Sequence, residues 1–116
     1  MDGRVQQPVA DYLKKKLGVE YVDMITEPGP NLILAEQENE ELVASIMARI
    51  DISVNQHGSS CVALVGHYDC SGNPVKKQMQ NQHIRRAVRF LKRNYKYVQV
   101  IGLWVDENWG VEEVTS

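Results

Sequence analysis

Apolar residues recur along this chain in two alternating rhythms, one helical and one strand-like. The alternation predicts an α/β fold with a mainly parallel sheet flanked by helices. The first rhythm runs from about Gln7 to Leu17, where Val9, Leu13 and Leu17 fall at i, i+4 and i+8. Pro8 suits the first turn of that helix and Gly18 supplies its stop. A strand is expected over Tyr21 to Thr26, with Val22, Met24 and Ile25 apolar. Glu27-Pro28-Gly29-Pro30 ends it, because proline removes ladder donors and fixes the backbone. A second helix is expected from about Asn39 to His57, carrying Leu42, Val43, Ile46, Met47, Ile50 and Val54 at helical spacing. The run Cys61 to Gly66 is short and continuously apolar, as a strand covered on both faces reads. A loop over His67 to Pro74 breaks it. A third helix over roughly Val75 to Asn94 and a buried strand over Tyr97 to Val105 follow. The tail Asp106 to Ser116 is acidic and turn-like, with an edge strand at Val111 to Val114.

Length and composition narrow the class. A chain of 116 residues reads as one domain spanning 1–116. Its 43% hydrophobic and 24% charged residues are globular values, and a net charge of -2 exerts no global pull on polyanions. No apolar run approaches the roughly 18 residues of a membrane helix, and no signal segment opens the chain, so a cytoplasmic protein is expected. Cys61 and Cys70 do not make a secreted disulfide framework, and each needs its own explanation.

The chemistry concentrates in two clusters. His67-Tyr68-Asp69-Cys70 stands at the C-terminal end of the most apolar strand, where open α/β sheets place their ligand sites. A histidine and a cysteine three apart in one tight loop can face a single point, and imidazole and thiolate are preferred zinc donors. The bland alternative is a turn that happens to contain both. The second cluster, Asp2-Gly3-Arg4, precedes the first helix, and an arginine two residues from an aspartate can pair with it and keep it ionised. Taken alone, it reads as a frayed end.

Together the clusters resemble the β-class carbonic anhydrases, which carry a C-x-D-x-R motif after their first strand and an H-x-x-C motif after a later one. Met1-Asp2-Gly3-Arg4 looks like x-D-x-R, and His67-Tyr68-Asp69-Cys70 follows at about the expected separation. Tyr21 to Gly29 and Ile101 to Asp106 resemble a compact anhydrase-like branch. The resemblance implies that His67 and Cys70 are zinc ligands and that Asp2 and Arg4 form the catalytic dyad. It implies reversible hydration of carbon dioxide to bicarbonate, and a dimer or larger assembly.

One departure qualifies this. The family's first motif cysteine would precede Met1, so the zinc-ligand set is incomplete and the family's first strand is missing. Cys61 cannot easily substitute, since six residues along a strand place it about 20 Å from His67. Asp2 is a possible third ligand. The expectation is either a shortened form of a longer protein, or a rearrangement in which remaining elements or a second copy fill the gap. An impaired enzyme is therefore expected, with a non-catalytic scaffold holding little or no zinc as the alternative. The least favoured alternative is nucleic-acid binding by the basic helix 76–96, which carries Lys76, Lys77, Arg85, Arg86, Arg89, Lys92, Arg93 and Lys96 without an acidic residue. Trp104 and Trp109 are expected to pack on the core.

Overall fold

The structure, a computed structural model, describes residues 1–114. The last two residues of the expected tail lie outside the described residues. Helix α1 spans Gly3–Leu17 and starts before the expected Gln7, because Asp2 caps it. Asp2 is extended, at φ -61 and ψ 123, and its carboxylate accepts from the Arg4 N–H at 2.9 Å. Pro8 consequently lies inside the helix rather than in its first turn. Val5, Val9 and Leu13 form its buried stripe.

A helix α2, Pro30–Glu36, stands where no element was expected. Gly29 adopts φ 65 and Pro30 opens the helix, so the prolines that end the preceding segment also begin this one. Helix α3, Glu40–Asp51, is capped by the Asn39 side chain, which accepts from the Leu42 N–H at 3.1 Å. It continues into a π-helical turn, Ile52–Gln56, with His57 N–H bonded to the Ile52 carbonyl. The expected 39–57 span is thus kept, with a change of pitch near its end.

Strand β1 (Cys61–His67), helix α4 (Lys77–Asn94), strand β2 (Gln99–Val105) and strand β3 (Val111–Val114) complete the chain. The sheet order is β1-β2-β3. β1 pairs with β2 in parallel, from Cys61↔Gln99 to His67↔Val105, through the α4 crossover. β3 turns back on β2 antiparallel, from Val105↔Val111 to Gly102↔Val114. Side chains alternate along β2, so Val100 and Trp104 join Leu34, Ile84 and Leu91 on one face. Ile101, Leu103 and Val105 join Val5, Val9 and Leu13 on the other.

Two expectations change for one reason. Residues 21–26 run without ladder pairing, and Tyr21 is 85% exposed. β1, expected to be covered on both faces, is only partly buried at Cys61, Val62, Ala63 and Val65, whereas Val100 to Val105 are buried throughout. Among the described residues, no strand pairs with the β1 edge away from β2. A cleft of about 200 Å³ is lined there by Val22 and Ile25 of the unpaired segment, by Cys61 and Ala63 of β1, and by Leu13 of α1. The sheet is accordingly mixed, with one parallel and one antiparallel pair among the described strands. No described helix is long and apolar enough to cross a membrane.

Candidate active site

Parallel pairing brings the C-terminal ends of β1 and β2 to one end of the sheet, and the N-terminus of α1 meets them there. His67, the last residue of β1, is 8% exposed. Its Nδ1 lies 2.7 Å from the Tyr68 carbonyl oxygen, which can only accept. Nδ1 is therefore the donor, and in the neutral ring the lone pair lies on Nε2. That is one of the two tautomers in which histidine binds metals, with a backbone carbonyl fixing the ring. Tyr68 is itself held, since its N–H donates to the Val105 carbonyl at 2.9 Å.

The loop then turns through Asp69 at φ 58, and Asn73 N–H closes on the Cys70 carbonyl at 3.3 Å. Cys70 is buried, at 7% exposure. The Pro28-Gly29 corner presses on this turn backbone to backbone: a Cβ on Gly72 would stand 2.3 Å from the Pro28 carbonyl carbon. Only glycine fits there.

Asp2 and Arg4 do pair, but through a helix cap rather than an extended segment. Arg4 Nε lies 3.0 Å from Oδ1 and Nη2 lies 2.6 Å from Oδ2. The Arg4 side chain, then the Arg4 backbone N–H, hold the Asp2 carboxyl well below the usual carboxylate range. The bound carboxylates push the Arg4 pKa further up, with Asp2 the largest cause. Arg4 Nη2 also reaches the Asp69 carbonyl and Oδ2, both at 3.4 Å, and its guanidinium lies 4.7 Å over the Trp109 ring. The expected frayed end is instead tethered. The terminal amine donates to the Glu27 carbonyl at 3.4 Å, and Gln6 Nε2 donates to the Met1 carbonyl at 3.1 Å.

Asp2 and His67 line a common cavity of about 70 Å³, together with Gln6, Val65 and Glu27. Glu27 is ion-paired with Arg49 of α3. Cys61 lies at the other end of β1, as expected, and burial pushes its thiol up.

His67 and Cys70 offer the donor types that zinc prefers, an imidazole and a buried thiol. They do not yet make a complete set. Among the described residues no group of three or more His, Cys, Asp or Glu side chains is placed to hold a metal ion. Both oxygens of Asp2 are engaged by Arg4. Sequence reasoning missed the Tyr68 carbonyl, Asp69 and the Trp109 stack. Trp109 had one local signal, the turn Asp106 to Gly110, where the Asp106 carboxylate accepts from Asn108 and Gly110 N–H, both at 2.9 Å. That turn holds Trp109 at φ 61. Both tryptophans pack on the core as expected, Trp104 at 2% exposure and Trp109 partly buried against the Val5, Val9 and Leu13 cluster.

No curated protein and no solved structure matches the chain. Residues 1–115 match the family described as "Putative carbonic anhydrase". With that coverage, the chain belongs to this carbonic anhydrase family.

Proposed function

We propose that this protein is a zinc-dependent, carbonic-anhydrase-like lyase of the cytoplasm, one domain over 1–116, that interconverts carbon dioxide and bicarbonate. With no three-donor group among the described residues, its activity is expected to be low. The observation that carries the reading is that Asp2, locked by Arg4, and His67, whose Nδ1 meets the Tyr68 carbonyl, line one small cavity. His67 and Cys70 would hold the metal. Zinc, when bound, supplies hydroxide at neutral pH by lowering the pKa of its water toward 7. Asp2, kept ionised by Arg4, accepts a hydrogen bond from a hydroxyl group in the cavity and orients it. A cavity of about 70 Å³ has room for a few waters or a small linear molecule, since one water needs roughly 10–15 Å³ by the same kind of measure.

Equilibrium dialysis against zinc tests this reading. The wild-type chain is expected to take up zinc weakly, and His67→Ala and Cys70→Ser are expected to abolish uptake. Equal uptake by all three overturns it. A second reading, a non-catalytic scaffold with weak or no zinc, is favoured by the absence of a three-donor group among the described residues. Wild-type chain that takes up no zinc selects it. The basic face of α4 gives less support to nucleic-acid binding, because Lys77 pairs with Glu112 and Arg86 donates to the Ala35 carbonyl.

The same reading includes self-association. The open β1 edge and its apolar cleft leave backbone groups and apolar surface for a second copy to cover. Sedimentation at micromolar concentration is expected to show a dimer or larger species. A monomer that stays folded on dilution contradicts it.

A further inference from the structure

Behind the His67–Asn73 loop lies a polar network that the proposed chemistry does not use. Asn31 of α2, Asn73 of the loop, and Gln80 and His83 of α4 are all buried, the first three to 1% exposure or less. Buried amides are costly unless bonded, so their partners are informative. An amide nitrogen only donates. The 2.9 Å contact of Asn73 Nδ2 with His83 Nδ1 therefore makes that ring nitrogen the acceptor. His83 is then neutral with its proton on Nε2, in keeping with burial pushing its pKa down. Asn73 Nδ2 also reaches Asn31 Oδ1 at 3.4 Å, and Asn31 Nδ2 donates to Gln80 Oε1 at 2.5 Å.

With its oxygen taken by Asn31, Gln80 turns its nitrogen toward the loop. Nε2 donates to the Asn73 carbonyl at 2.8 Å and reaches the His67 carbonyl at 3.4 Å. Those carbonyls mark the two ends of the segment that carries His67 and Cys70. The network also lies against the backbone just before His67. A Cβ on Gly66 would stand 2.8 Å from Asn31 Nδ2 and 2.9 Å from Gln80 Oε1.

We propose that Gln80 is the positioning residue of the His67–Cys70 loop: its amide nitrogen ties the two ends of the loop together and so fixes the separation of the two side chains. Asn31 orients that amide, and Asn73 and His83 anchor the far end. The functional consequence rests on His67 and Cys70 being metal donors, whereas the positioning itself does not.

The test compares two substitutions in the full chain. Gln80→Met keeps the length and removes the donor. Val88→Ala, two turns further along α4 and 4% exposed, destabilises the same helix away from the loop. Amide hydrogen exchange of the metal-free proteins is measured across residues 68–73, and cobalt(II) affinity is measured by absorbance. Gln80→Met is expected to speed exchange across the loop at least about tenfold more than Val88→Ala does. It is expected to weaken cobalt binding by about 10–100-fold, the scale on which residues behind metal ligands act. Loop exchange no faster in Gln80→Met than in Val88→Ala overturns the proposal. Wild-type protein that shows no cobalt absorption removes the metal reading, and the exchange comparison still decides the positioning. Should Gln80→Met fail to fold, Asn31→Ala, which releases the Gln80 oxygen together with Asn73 Nδ2 and the Leu32 N–H, is judged by the same comparison.

Discussion

Arg4 binds the carboxylate of Asp2 with two side-chain nitrogens and its own backbone N–H, at 2.6 to 3.1 Å, although the two residues are only two positions apart. Asp2 thereby serves at once as helix cap and as locked anion. The lock depresses its folded pKa below the unfolded value near 3.9. Its contribution to stability is present above that unfolded value and is lost as pH falls through the folded one.

Arg4→Ala is therefore expected to raise the Asp2 titration toward the ordinary carboxylate range while leaving the protein folded. The pair is half exposed on the arginine side, so only a small loss of stability is expected. A carboxyl-carbon NMR titration checks the shift. Wild-type Asp2 titrating near 4 contradicts the lock.

The closeness of Gly72 to Pro28 makes a sharper stability prediction. A Cβ there meets backbone atoms at 2.3 and 2.6 Å, and backbone cannot swing aside as a side chain can. Gly72→Ala is expected to cost about 3 kcal/mol or more. Urea denaturation checks this, and a loss below about 0.5 kcal/mol contradicts the contact.

Residues 21–26 are expected to exchange their amide hydrogens fast, within the range of exposed loops, while Val100 to Val105 exchange slowest. Protection of residues 21–26 equal to that of β2 contradicts their unpaired state.

That segment shows what the sequence could reveal. Apolar spacing located α1, α3 and α4, each of which buries a periodic face, and continuous apolar runs located β1 and β2. Extended character at 21–26 was equally legible, but pairing depends on what lies alongside, which local pattern does not encode. Helix α2 was illegible for another reason. It has seven residues, its run Leu32 to Ala35 is apolar without a helical period, and its proline opening reads as a turn.

At the site, His67, Cys70, Asp2 and Arg4 were visible as motif residues. The groups that orient them were not. A backbone carbonyl such as that of Tyr68 has no sequence signature, and the amides of Asn31 and Gln80 meet across 49 positions.

The central claim is that His67 Nε2 is a metal donor serving carbon dioxide hydration. Stopped-flow hydration by the zinc-loaded 116-residue chain, with His67→Ala alongside, tests it most directly. The account predicts a weak rate above the spontaneous reaction that requires zinc and vanishes in His67→Ala. A rate unaffected by zinc, or undiminished without His67, contradicts it.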